Sequence, residues 1–279
     1  MTKIDDSIYQ FFADYIYDHT GIYYSPNDFY RLDSRLNALC EKFKKSNFKE
    51  LHDLYKQSIN NDMHSSLVDI ATNNETYFLR DNNPFEALSK HLIPQILKNQ
   101  SQVKIWSAGC STGQEPYSIV MTAMENNPTL SGHDIHVTAT DISKRALEKA
   151  QNGIYQQLEV QRGLPANMLL KYFDQLDSQK DWKIKNFVKK CVDFKEFNLF
   201  KDHFPKEQYD VIFCRNVIIY QTTENKRIIV NNLFHSLKEG GHLFLGSGES
   251  LIGTKVPYCQ EKIGKSLIFR KETPKAQAA

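Results

Sequence analysis

Two carboxylates and a run of small residues are the groups in this chain best placed to do chemistry. In 105-IWSAGCSTGQEPYSI-119 an apolar run enters 109-GCSTG-113, and Glu115-Pro116 then opens a helix. Gly109 and Gly113 permit positive φ, and the residues between them are small, so a ligand can lie against the backbone. Further on, 138-TATDIS-143 ends a second apolar run in Asp141. An acidic residue closing the second strand of an α/β sheet is the usual acceptor for ribose hydroxyls. Taken alone, Asp141 reads equally as an N-cap for a helix at 143, and Glu115 as a first-turn carboxylate facing the helix dipole.

The pattern sets aside two familiar ligands. A P-loop needs G-x-x-x-x-G-K-[ST], but no Lys follows Gly113, and Glu115 would compete with a phosphate for the helix N-terminus. A dinucleotide fingerprint needs a third Gly for close helix packing, and Gln-Glu-Pro-Tyr stands there. The common ligand of such sheets that remains is S-adenosylmethionine. It lacks phosphate and carries an ammonium, a sulfonium and ribose hydroxyls, all suited to carboxylates. At the end of a further strand, 214-CRNVIIY-220 places Asn216 and Tyr220 without the Asn-Pro-Pro-Tyr-like turn expected for methylation of nucleic-acid amino groups.

These groups need a frame. Apolar stretches at 103–108, 135–141, 209–215 and 241–247 suit buried parallel strands. Helical patterns fall at 84–97, 115–126, 143–151 and 222–238, the last opened by Thr222 and closed by a Lys-then-Gly ending. Alternating strands and helices predict a doubly wound parallel sheet, with the ligand outside its C-terminal strand ends. The polar segment 153–200 reads as an insertion carrying a small antiparallel β element, plus a sheet strand near 189–194. Residues 1–70 read as helical. Phe29, Leu32, Leu36, Leu39 and Phe43 form one apolar stripe, while Arg31, Arg35 and Lys42 share another face. Such a basic stripe is either a solvated face or a docking surface for an acidic partner.

Composition narrows the class. The 279 residues are 41% hydrophobic, with a formal net charge of +2, which gives no general case for nucleic-acid binding. No apolar run reaches the length of a membrane span, and the acidic N-terminus lacks the pattern of a signal peptide. The five scattered Cys form no C-x-x-C and the nine His no H-x-x-x-H. Reduced thiols in a cytoplasmic protein without a metal site are therefore expected.

Six blocks, in order, carry a resemblance: 74-NETYFLR-80, 106-WSAGCSTGQEPYSI-119, 138-TATDISKRALEKAQNGIY-155, 198-NLF-200, 210-DVIFCRNVIIY-220 and 246-GSGESL-251. They resemble the chemotaxis receptor glutamate methyltransferases, the CheR family, over nearly the whole chain. The resemblance implies a class I S-adenosylmethionine-dependent methyltransferase fold with a small antiparallel β insertion, behind a small helical domain. The expected boundaries are 1–68 for a helical receptor-docking domain and 69–82 for a linker carrying site residues. Residues 83–270 would be the methyltransferase domain, with its insertion at about 155–188, and 271–279 a disordered tail.

By the same resemblance, Asn74, Thr76 and Arg80 border the cofactor, Glu115 and Asp141 hold its methionine end and ribose, and Asn198 and Leu199 flank its adenine. Arg215, Asn216 and Tyr220 lie between the methyl group and the substrate, with Arg80, Arg215 and Tyr220 as the catalytic candidates. The products are S-adenosylhomocysteine and a glutamate methyl ester on the cytoplasmic helical bundle of a chemoreceptor, docked on Arg31, Arg35 and Lys42. A monomer is expected. Some family members grip a receptor's C-terminal pentapeptide through a Gly-containing loop of the insertion. Here no Gly occurs between Gly163 and Gly240, which predicts independence from that tether. A nucleic-acid methyltransferase and a non-catalytic S-adenosylmethionine-binding scaffold are the alternatives.

Overall fold

The structure, a computed structural model, describes residues 6–176 and 180–272. Four helices come first: α1 (Asp6–Thr20), α2 (Asp33–Lys42), α3 (Phe48–Gln57) and α4 (Asn61–Ala71). Asn47 caps α3 by accepting from the Glu50 amide, and Asn60 caps α4 by accepting from Met63. Phe12, Ile16, Phe29, Leu32, Leu36, Leu39, Leu51 and Leu67 close a core of their own, with Phe43 packed against it. The expected stripe is therefore a core stripe, but it is not one helix. Pro26–Leu32 forms a 3-10 turn, and α2 begins only at Asp33, so Arg31 stands off the helix that carries Arg35 and Lys42. Helix α4 runs to Ala71, three residues into the stretch expected as linker.

The helices α5 (Asn83–Ala87) and α6 (Ile93–Ile96) are joined through a π-helical turn, Leu88–Leu92. Pro94 has no amide to donate back to Lys90, and the helix widens there. The sheet follows, with β1 (Val103–Ala108), α7 (Gln114–Asn126), β2 (Ile135–Asp141) and α8 (Lys144–Asn152). The insertion comprises β3 (Ile154–Gln156), α9 (Gln157–Gln161), α10 (Ala166–Tyr172), β4 (Phe173–Gln175), β5 (Asp181–Ile184) and α11 (Asn186–Lys189). Its strands make a separate antiparallel sheet, β3-β5-β4. The chain returns through β6 (Val192–Glu196), β7 (Tyr209–Cys214), α12 (Thr223–Ser236), β8 (Leu237–Leu245), β9 (Tyr258–Ile263) and β10 (Ser266–Lys271).

The main sheet runs β6-β2-β1-β7-β8-β10-β9. From β6 to β8 every pairing is parallel, but β10 pairs antiparallel with both β8 and β9. The chain leaves β1 toward β2 on one side and later returns at β7 on the other. That reversal opens a crevice at the C-terminal ends of β1 and β7, where a doubly wound sheet binds its ligand.

Three expectations shift. Helix α12 stops at Ser236, and Lys238–Gly241 belong to β8, because Leu237 is already extended (ψ 141°) and fully buried. Two strands, β9 and β10, went unread. Lys271 is not part of a tail: it ends β10, is buried, and donates from Nζ to the Leu237 carbonyl at 2.7 Å. The rest of the expected tail, 273–279, lies outside the described residues.

Candidate functional site

A cleft enclosing about 980 Å³ of open space lies at the C-terminal ends of β1, β2 and β7. Every expected cofactor residue lines it, Asn74, Thr76, Arg80, Glu115, Asp141, Asn198, Leu199, Arg215 and Asn216, and so does Tyr220. Asn74, Thr76 and Arg80 precede the sheet by many residues. They arrive because the linker is tied down along its length. Ser111 Oγ donates to the Asn74 carbonyl at 2.8 Å, the Leu79 amide to Ser118 Oγ at 3.0 Å, and Arg215 Nη2 to the Arg80 carbonyl at 2.8 Å.

The loop after β1 differs in purpose from its reading in the sequence. A Cβ on Gly109 would stand 2.4 Å from Val217, and one on Gly113 would stand 2.8 Å from Ala150 and 2.9 Å from the Tyr155 hydroxyl. Both glycines have positive φ. They let the loop pack against the protein's own neighbouring elements, and Gly109, Cys110 and Ser111 line the cleft. Leu79, Asp81, Ser111 and Asn216 also hold φ between 51° and 60°. Left-handed backbone at four non-glycine positions around one cleft is the clustering expected where a site is held in a demanding geometry.

Asp141 is buried, and its carboxylate accepts from the Ser111 amide at 2.7 Å and the Ser143 amide at 2.9 Å. Ser143, not Asp141, caps α8, through the Ala146 amide. Glu115 does not cap α7 either, because the N-cap is Gly113. Its Oε1 accepts from Ser107 Oγ at 2.7 Å and its Oε2 pairs with Arg215 Nη1 at 3.2 Å. Burial is the main influence on both carboxyls and raises both above the ordinary carboxylate range. For Glu115, Arg215 and Ser107 pull the other way; for Asp141, the amides of Ser143, Ser111 and Ile142 do.

That direction gives a pH dependence. If Glu115 holds a cationic group of the ligand and Asp141 accepts from its hydroxyls, both act as carboxylates, so protons compete with the ligand. Because the two groups are raised, competition starts at a higher pH than for ordinary side chains. S-adenosylhomocysteine affinity measured by calorimetry should therefore fall as pH drops from 7 toward about 5. A Glu115→Gln variant should bind more weakly at pH 7 and show a flatter profile. A profile of equal steepness in that variant would remove Glu115 from the linkage.

The two arginines divide. Arg215 has a side chain only 2% exposed, bridges Glu115 and Asp81 (3.0 Å), and sits over the Phe85 ring. Its terminal nitrogens face carboxylates of its own chain, while its buried Nε has no hydrogen-bond partner among the described residues. Arg80 is half-buried, donates to the Glu75 carbonyl at 3.3 Å, and lies over Tyr77. Among the described residues no ion pair engages it. Tyr220 accepts from Asn73 Nδ2 at 2.9 Å and keeps its own O–H for donation.

Asn198 lines the cleft and is bonded at both ends of its amide. Its Nδ2 donates to the His19 carbonyl at 2.7 Å and its Oδ1 accepts from the Phe200 amide at 2.9 Å. The side chain braces the helical domain against the cleft. Leu199 remains in the wall with Ile22, Phe197 and Phe200. Thr20, Ile22 and Gln221 were absent from the sequence reading, although Ile22 and Gln221 form a β-bridge across the domains. No pattern within 20-TGIYY-24 signals that contact.

On the helical domain, Arg35 Nη1 donates to the Tyr24 hydroxyl at 2.5 Å and to the Ala71 carbonyl, which ties α2 to the end of α4. It serves the fold and does not share an open face with Arg31 and Lys42. Those two are exposed, with Arg31 beside Asp28 at 3.7 Å and Lys42 paired with Asp62 at 2.7 Å. Among the described residues no helix is long and apolar enough to cross a membrane, and no His/Cys/Asp/Glu cluster could hold a metal.

Comparison with known proteins agrees with the cleft. Residues 74–265 match the family model described as "CheR methyltransferase, SAM binding domain", and the match opens at Asn74, within the linker. A chemotaxis protein methyltransferase of Vibrio parahaemolyticus is 35% identical over 269 residues, covering 96% of this chain and 98% of that one. Chemotaxis protein methyltransferase 1 of Pseudomonas aeruginosa is 34% identical over 269 residues, covering 94% and 97%. A chemotaxis protein methyltransferase of Borreliella burgdorferi is 34% identical over 249 residues, covering 86% and 87%. With its doubly wound sheet, its small antiparallel insertion and its acidic strand-end cleft, this chain belongs to the CheR family of methyltransferases and has the class I S-adenosylmethionine-dependent methyltransferase fold.

Proposed function

We propose that this protein methylates glutamate side chains on the cytoplasmic helical bundle of chemoreceptors, releasing S-adenosylhomocysteine and a neutral methyl ester. One observation carries the reading: a buried carboxylate, Asp141, and a mostly buried one, Glu115, share a cleft with a guanidinium, Arg80, that has no carboxylate partner among the described residues. Glu115 holds the ammonium of S-adenosylmethionine and Asp141 its ribose hydroxyls. Ile22, Phe197, Leu199 and Phe200 give the apolar wall for the adenine. When bound, that cofactor supplies a methyl group activated on a sulfonium.

The acceptor glutamate is already ionised at neutral pH, so the site needs no general base. Its task is to hold one carboxylate oxygen in line and keep water out. Arg80 pairs with the acceptor's other oxygen and Tyr220 donates its O–H to the same group. Arg215 touches neither; it keeps Glu115 and the linker in register. The test is transfer of labelled methyl from S-adenosylmethionine to receptor-bearing membranes, recovered as a base-labile ester. No label on any receptor, with cofactor binding intact, would replace the reading with that of a scaffold.

The receptor's acidic faces dock on Arg31 and Lys42. Doubly substituted Arg31→Ala/Lys42→Ala protein should show a KM for receptor raised about fivefold, with a weaker salt dependence and unchanged cofactor affinity. Equal losses in both would mean general destabilisation. The enzyme acts as a cytoplasmic monomer, independent of a C-terminal tether. Calorimetry with a receptor pentapeptide should show no binding in the micromolar range, and a measurable isotherm there would overturn that independence.

A further inference from the structure

One carboxylate outside the chemistry just described holds the loop that carries it. Glu249 lies in the turn after β8, where its own amide donates to the Gly246 carbonyl at 2.9 Å. Its side chain then collects four backbone amides. Oε2 accepts from Asn216 and Gly246, each at 2.8 Å; Oε1 accepts from Val217 at 2.9 Å and Ile219 at 3.2 Å. Three of those donors lie in 216–219, between Arg215 and Tyr220. Asn216 sits there at φ 60°, a conformation a β-carbon disfavours without outside support. A Cβ on Gly246 would meet the Asn216 amide at 2.9 Å and Glu249 Oε2 at 2.9 Å, so the glycine is what lets the two loops close on each other.

We infer that Glu249 is a positioning residue for methyl transfer, fixing the 216–219 turn so that Tyr220, Asn216 and Arg215 keep their places around the reacting groups. It acts through backbone amides and touches neither substrate. The inference rests on the methyl-transfer reading above. The geometry explains the residue type. Two oxygens with about four acceptor positions match four N–H donors, and each donor bond to a charged acceptor is a strong one. Glutamine cannot replace it. Whichever oxygen becomes an NH2 group, two amides then face a donor. Aspartate is one methylene too short to reach both pairs.

The experiment compares wild type, Glu249→Gln, Glu249→Asp and a neighbouring control, Ser250→Ala. Turnover on receptor membranes should fall about 100-fold in Glu249→Gln, the scale on which displaced groups lose rate. KM for S-adenosylmethionine should stay within about threefold, the signature of lost alignment rather than lost binding. Amide hydrogen exchange at 216, 217 and 219 should speed up, with exchange in β1 and β2 unchanged, and the control should behave as wild type. Turnover near wild type in folded Glu249→Gln protein would overturn the inference. So would losses in turnover and KM that merely track a general rise in exchange across the sheet. If Glu249→Gln does not fold, Glu249→Asp decides by the same readings. If wild type itself methylates no receptor, the functional reading fails, while exchange at 216–219 still reports whether Glu249 holds the turn; unchanged exchange there sinks the inference independently.

Discussion

Replacing Arg215 with alanine is expected to cost about 3–5 kcal/mol of stability, the usual scale for breaking one side of a buried ion pair, and to reduce methyl transfer to background. The guanidinium joins Glu115 on α7 to Asp81 and the Arg80 carbonyl in the linker, all within 3.2 Å. Without it, Glu115 loses the cation that offsets the upward push of burial on its carboxyl and the partner that fixes its Oε2, so it no longer presents a held carboxylate to an ammonium. The linker loses its clasp at Arg80 in the same step. Activity and cofactor affinity therefore fall together, unlike in the Glu249 variants. Arg215→Lys keeps a charge but offers one nitrogen where the arginine uses Nη1 and Nη2 on different partners, so it should recover stability more than turnover. Denaturant midpoints and calorimetry with S-adenosylhomocysteine check this. An alanine variant with a wild-type midpoint and measurable turnover would show that the bridge is not what orders the linker.

The sequence makes legible those parts of this molecule that depend on local burial, and hides those that depend on distant partners. Strands β1 and β2 match their expected limits because runs of apolar and small residues, with only Lys104 and His136 not fully buried, mean burial on both faces. Ser143 and Thr222 act as the caps their residue types suggest. Strands β9 and β10 escape because β9 is a half-exposed edge strand of mixed polarity, Tyr-Cys-Gln-Glu-Lys-Ile, and β10 ends in Arg-Lys with Lys271 buried against a carbonyl. The site shows the same division. The residues the family blocks single out, from Asn74 to Tyr220, line one cavity. Individual roles did not follow, because a residue type does not state its partner. Arg35, on a basic stripe, and Arg215, at a strand end, both read as cations for an acidic substrate, yet each faces acceptors inside its own chain. Asn198, read as flanking the adenine, is also bonded at both ends of its amide. Glu249 sits in a polar turn, and its four donors come from two loops that only the fold brings together.

Asp141 offers the sharpest separation of binding from architecture. Its carboxylate holds the amides of Ser111 and Ser143, so it shapes the rim even without a ligand. Asp141→Ala leaves those buried amides without an acceptor and should cost about 1–3 kcal/mol of stability. It also removes the ribose acceptor, and S-adenosylhomocysteine should bind about 100-fold more weakly, the scale of one or two hydrogen bonds to a charged group. Asp141→Asn divides these effects. Its carbonyl oxygen still accepts from one of the two amides, so part of the stability returns, while the lost charge keeps cofactor affinity low. The stability loss is softened in both variants by a second effect. Burial raises the Asp141 carboxyl, so the ionised group burdens the fold at neutral pH, and that burden disappears as pH falls below its unfolded value. Removing the charge relieves it at any pH. The asparagine variant should therefore sit close to wild type in thermal midpoint at pH 7 and far from it in affinity. Unchanged affinity in either variant would take Asp141 out of the ribose site and leave it a loop-shaping residue alone.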